Sequence, residues 1–82
     1  MILRLYDRVA LKVAVPREGL RAGDVATVVD FVDHPAEGPR GCVLEIFNAL
    51  GESIAVVTVS EKAVESLRAD EVLAVRPLAV AV

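Results

Sequence analysis

Gly19-Leu20-Arg21-Ala22-Gly23-Asp24-Val25-Ala26-Thr27-Val28-Val29 decides the fold of this chain. Two glycines and an aspartate break the backbone, and a β-branched run starts at once. Glycine permits positive φ and aspartate bonds to nearby backbone amides, so the first half reads as a turn. Valine and threonine fit a pleated surface, so the second half reads as a strand. Just upstream, Val9, Leu11 and Val13 share one face and Arg8, Ala10 and Lys12 the other, the period of a half-buried strand. Between the two strands lies a loop from Ala14 to Gly23, too long for a tight hairpin, with φ fixed at Pro16 and Leu20 as its apolar anchor into the core.

Downstream, Asp24 to Asp33 is apolar on both faces: Val25, Thr27, Val29 and Phe31 on one, Ala26, Val28 and Val32 on the other. Such a strand is either central or bent so that each half serves the core. Asp33 to Gly41 is a loop dense in breakers. Cys42 to Asn48 forms a third strand, a turn follows about Asn48-Ala49-Leu50-Gly51, and Ser53 to Val59 forms a fourth. Ser60 to Arg68 reads as a short helix, with Ser60 as cap, Glu61 in the first turn and Ala63, Val64 and Leu67 as its apolar stripe. Val72 to Val75 makes a fifth strand, stopped by Pro77. The expected architecture is all-β: one domain over residues 1–82, a five-stranded SH3-like barrel or roll with one short helix before the last strand.

These residues carry a family resemblance over most of the chain. Leu5-Tyr6-Asp7-Arg8-Val9, Pro16, Gly19-Leu20 and Ala22-Gly23-Asp24-Val25-Ala26-Thr27-Val28-Val29 resemble the opening of the bacterial family called domain of unknown function 4926. Val43-Leu44-Glu45-Ile46-Phe47 with Gly51 is similar to that family's hairpin, and Arg76-Pro77-Leu78 to its closing strand. The chain departs from the pattern at Ala26, where glycine is common, and in a longer insert from Ser60 to Arg68. The turn is similar also to that of KOW-type SH3-like barrels. The resemblance implies the fold and little about activity.

Bulk properties narrow the function. The net charge is −3 and the isoelectric point about 5.0, a balance that disfavours a dedicated nucleic-acid binder. Tyr6, Phe31 and Phe47 are the only aromatics, too few for both a core and a base-stacking platform. Cys42 is the single cysteine, which points to a reducing, cytoplasmic setting. No secretory leader is legible and no apolar run approaches the ~20 residues of a membrane span. Hydrophobic residues make up 55 %, above the ~45–50 % of ordinary soluble domains, and the surplus leaves apolar surface for a partner.

No constellation for chemistry stands out. His34 precedes Pro35 in a polar loop without companion ligands. Cys42 lacks a base at legible spacing and reads as a buried thiol. Gly23-Asp24 has neither the Gly-Lys-Ser/Thr sequence nor the following helix of a phosphate loop. The expectation is no catalytic residue, no metal and no cofactor. Arg17, Glu18 and Arg21 are candidates for partner binding, on a loop that a rigid scaffold presents. Ile54, Val56, Leu78, Val80 and Val82 are candidates for self-association as a weak homodimer, because the fourth strand and the tail carry surplus apolar surface. The functional expectation is a small non-catalytic binding or regulatory module acting through protein–protein contact. Its alternatives are an accessory subunit bracing an enzyme and a KOW-type barrel associated with RNA or the ribosome.

Overall fold

The computed structural model describes residues 2–78. Five antiparallel strands form one sheet: β1 (Arg8–Leu11), β2 (Val25–Val32), β3 (Gly41–Phe47), β4 (Ser53–Ser60) and β5 (Val64–Ser66). The first four run as a meander and the fifth returns beside the first, giving the order β4-β3-β2-β1-β5. Among the described residues the fold is all-β with five strands, as expected. The two sheet edges, β4 and β5, are not paired with each other, so the roll stays open.

An extra residue in β2 shapes the sheet. Val28 pairs with Leu44 but Asp30 with Val43, which leaves Val29 as a bulge. Before it, Ala26 and Val28 point into the core; after it, Phe31 lies opposite the buried Cys42 and packs against that same core. A bulge bends its strand and increases the local twist. β2 is therefore both central and bent, and the shift of phase lets Phe31 join Ala26 and Val28 at the core while Val32 stays half exposed. Leu44, Ile46, Val57, Val9 and Leu11 complete the interior with Leu20 and Val64.

The long first loop is built, not loose. Val15 and Leu20 form an isolated bridge, each N–H donating to the other's carbonyl at 3.0 and 3.1 Å. Between them Pro16–Glu18 makes a 3-10 turn that ends on Gly19 at φ 71°. Beyond the bridge, Gly23 N–H donates to the Leu11 carbonyl and Leu11 N–H to the Asp24 carbonyl. Gly23 sits at φ 94° with nothing within 4 Å of where a Cβ would lie, so its need is conformational rather than steric. Leu20 is buried, in the anchoring role assigned to it. The β3–β4 hairpin is fastened by Asn48, whose side-chain oxygen accepts the N–H groups of Leu50 and Glu52 at 2.9 Å each.

The expected helix from Ser60 to Arg68 is corrected. Ser60 does cap, accepting the Lys62 N–H at 3.2 Å, but only one 3-10 turn follows, Glu61–Ala63. Val64 then pairs with Leu11 and lies in the core, and Lys12 N–H donates to the Ala63 carbonyl at 2.7 Å. The open edge of β1 offers backbone partners that a helix could not use, and that tertiary demand overrides the helical spacing of Ala63, Val64 and Leu67. The fifth strand is therefore Val64–Ser66, and the strand expected at Val72–Val75 is absent: residues 71–78 run without regular structure.

Arg40 ties three parts together. Its guanidinium lies 3.8 Å from the centre of the Phe31 ring, bonds Glu61 at 2.9 Å and reaches the Leu3 carbonyl at 3.4 Å. It thereby holds the β2–β3 loop, the second 3-10 turn and the N-terminal segment over one end of the roll. The Leu20→Ala variant should lose about 2–4 kcal/mol of unfolding free energy, as a buried leucine truncated beside a partly rigid loop does; urea titration followed by circular dichroism measures it.

Candidate functional site

The C-terminal segment after β5 returns to the first loop through a long-range contact. Arg68 N–H donates to the Glu71 carboxylate at 2.6 Å and Glu71 N–H to the Arg68 carbonyl at 3.1 Å, closing a turn. From there the chain returns to the first loop. At its end Arg76 meets Asp24, Nε to Oδ1 at 2.9 Å and Nη2 to Oδ2, a two-pronged pair. Nη2 also donates to the Gly19 carbonyl at 3.1 Å. Both side chains are a quarter exposed or less. A planar fork on a carboxylate is the strong form of ion pair.

Asp24 has a local task as well. Its Oδ2 accepts the Arg21 N–H at 2.7 Å, the turn-closing bond that its place after Gly23 implies. The Arg76 guanidinium holds the Asp24 carboxyl below its ordinary value of 3.8; partial burial opposes this and the Arg21 amide adds to it.

This strap, residues 67–78, borders an open groove of about 990 Å³. Leu11, Leu20 and Ile46 line its floor, Phe47 and Ile54 one wall, and Asp24 with Arg21 the other end. Leu78 packs on the core cluster from above. Phe47, Ile54 and Leu73 are substantially exposed, and Val72 and Val75 are 91 % and 93 % exposed. An apolar trough with a few polar groups at one end is the usual shape of a binding site.

The candidate residues divide around this groove. Arg21, Ile54 and Leu78 line it together. Arg17 and Glu18 sit on the exposed 3-10 turn next to it, outside its lining. Val56 lies on the outer face of the edge strand β4, 58 % exposed. Val80 and Val82 fall outside the described residues. Asp24 and Arg76 were missed as a pair because 52 residues separate them; the available signal was a single arginine in the otherwise apolar stretch after Glu71.

The other singled-out residues are engaged elsewhere. His34 accepts the Ala36 N–H at Nδ1, 3.0 Å away, and its ring lies against Gly38, where a Cβ would come within 2.9 Å of it. Cys42 is fully buried, and desolvation pushes its thiol pKa up. Among the described residues no group of three or more His, Cys, Asp and Glu side chains is placed to hold a metal ion, and no helix is long and apolar enough to cross a membrane.

A family model, "Domain of unknown function (DUF4926)", matches residues 5–66. The chain belongs to the DUF4926 family. The matched stretch runs from just before β1 to the last residue of β5, so the family unit is the five-stranded sheet with its loops. Asp24 lies inside the DUF4926 match; the strap with Arg76-Pro77-Leu78 lies beyond it. Neither the curated proteins nor the solved structures contained a match.

The Asp24 pair makes stability depend on acid. A carboxyl whose pKa is lower in the folded than in the unfolded chain stabilises above its unfolded value, and the contribution is lost as pH falls through the folded one. The melting temperature of the wild type should therefore drop below about pH 4 more steeply than that of Asp24→Asn, which starts lower at neutral pH. Thermal melts across this range check it.

Proposed function

We propose that this DUF4926 protein is a small non-catalytic module that works by protein–protein contact in the cytoplasm, and that its contact surface is the groove between the first loop, the β3–β4 walls and the strap. The observation that supports this reading is the apolar trough itself. Phe47, Ile54, Val72, Leu73 and Val75 remain exposed around one end-to-end depression, and contiguous exposed apolar surface on a small domain marks an interaction site. Arg21 and the neighbouring Arg17 and Glu18 supply a charged rim, the usual surround of an apolar contact. Bracing an enzyme subunit is one form that such contact takes. The scattered arginines and the acidic balance favour a protein over RNA as the partner.

Self-association is the second proposed contact, through the outer side of the edge strand β4. Val56 and Ile54 are exposed there, and an unpaired edge accepts another strand unless charge or shape prevents it. The expected result is a weak homodimer.

Two measurements test these readings. When a partner co-purifies in stoichiometric amount from the native host, Ile54→Asp should reduce its retention by about tenfold or more, and Arg17→Ala with Arg21→Ala severalfold, while the latter pair leaves the melting temperature nearly unchanged. Retention indifferent to both variants overturns the groove. Sedimentation at micromolar concentration should show a mass above the monomer that Val56→Lys returns to the monomer; a monomeric wild type overturns the dimer.

A further inference from the structure

The strap is fastened at its end and hardly anywhere else. Among the described residues, no backbone hydrogen bond joins residues 72–78 to the sheet. Val72 and Val75 face solvent almost entirely, so the middle of the strap contributes little burial. What holds it is the Arg76 fork on Asp24, the bond from Arg76 to the Gly19 carbonyl, and Leu78 on the core cluster.

The receiving half of this contact is complete without the strap. Asp24 is oriented by the Arg21 amide, the Gly19 carbonyl is placed by the left-handed conformation of Gly19, and Leu11, Leu20 and Ile46 form the floor. All of these lie within the family-matched residues 5–66, whereas Arg76 and Leu78 lie outside them. Three oxygens of the receiving side converge on the Arg76 guanidinium, whose Nη1 also donates to the Pro77 carbonyl of the strap at 3.1 Å. A lysine offers no planar fork to a carboxylate, so the site distinguishes arginine from lysine. In an extended chain residues i and i+2 point to the same side, which is how Arg76 and Leu78 both reach the groove across Pro77.

We propose that the groove is a receptor for an extended peptide segment carrying an arginine followed two residues later by an aliphatic side chain, and that the strap occupies it as a displaceable ligand in cis. This rests on the reading of the groove as the contact surface and adds to it the partner's chemistry and its regulation. A tethered segment acts at an effective concentration in the millimolar range, about what a weak single-arginine contact needs to stay mostly closed. A partner segment binds by replacing Arg76 on Asp24 and Leu78 on the core cluster. It also gains the exposed Phe47 and Ile54 wall, which the strap leaves uncovered. The closed strap thus lowers apparent affinity for an incoming segment without changing the receptor.

Loss of the cis arginine and loss of the receptor have opposite effects, which makes the proposal testable in the full chain. The probe is a fluorescein-labelled synthetic peptide of residues 71–78, followed by anisotropy. Arg76→Ala should bind it about tenfold or more tighter than the wild type, because the competitor is weakened while Asp24 is intact. Adding Asp24→Asn to Arg76→Ala should abolish that gain, and replacing the peptide's own arginine by lysine or alanine should do the same. Arg76→Lys, which keeps the charge and loses the fork, provides a second opened variant should the alanine variant unfold. Equal affinity of the wild type and a folded opened variant overturns the proposal, as does indifference to the peptide's arginine. If the peptide fails in this way while Ile54→Asp still releases the co-purified partner, the arginine specificity falls and the groove reading stands. If both fail, both fall.

Discussion

One extra residue in β2 sets the shape on which the rest depends. A sheet this small encloses a single interior, and a flat β2 would present one face to it and leave the other in water. The bulge at Val29 reverses the phase, so that Ala26 and Val28 serve the core on one side of the bend and Phe31 on the other. The bend brings the β2–β3 loop toward the second 3-10 turn, where Arg40 joins Phe31 to Glu61. Cys42, Leu44 and Ile46 of β3 and Val57 of β4 share one core cluster with Val9 and Leu11. β1 is flanked by β2 and β5, and its Val9, Ala10 and Leu11 are buried while Arg8 stays exposed.

The first loop stands at the opposite end of this economy of contacts. It buries one side chain, Leu20, and spends its backbone on the Val15–Leu20 bridge and on the Gly23–Leu11 bond. Those bonds aim the Gly19 carbonyl and the Asp24 carboxylate at the same point in space. A carboxylate held there by its own turn is a preorganised acceptor, and preorganisation is what converts a surface charge into a specific contact. In this chain the acceptor is met by Arg76. Structure and candidate function thus share one device: the turn that starts β2 also makes the polar end of the groove.

The apolar surplus has a structural account too. The core takes Ala55, Val57 and Val59 from β4 and leaves Ile54 and Val56 outside. The strap crosses the groove without forming a strand, so its valines gain no cover from the sheet. More than half of the residues are hydrophobic, yet the interior of so short a chain cannot receive them all. Part of the excess, Phe47, Ile54, Val72, Leu73 and Val75, lines the trough and Val56 lies on the edge strand, while Ile2, Leu5, Tyr6, Val13, Val32 and Leu50 are exposed elsewhere.

Much of the fold was determined by the sequence itself. The pattern of Arg8 to Val13, the breakers from Pro16 to Asp24 and the Asn48–Gly51 turn mark out four strands through local propensity and spacing and place Leu20 inside, although Ala10, on the face read as outward, is buried and Val13, beyond the end of β1, is half exposed. The burial of Cys42 and the outward place of Glu45 follow from the same period of two. Local pattern could not decide the segment after Ser60. Ala63, Val64 and Leu67 satisfy a helical period, but the vacant edge of β1 competes for Val64, and that edge exists only once β1 and β2 have paired. The same holds for the groove: Arg21 and Ile54 could be singled out as exposed, but nothing near Asp24 in the chain announces Arg76. An ion pair across 52 residues is created by the path of the strap over the folded sheet, so the tertiary structure alone decided it.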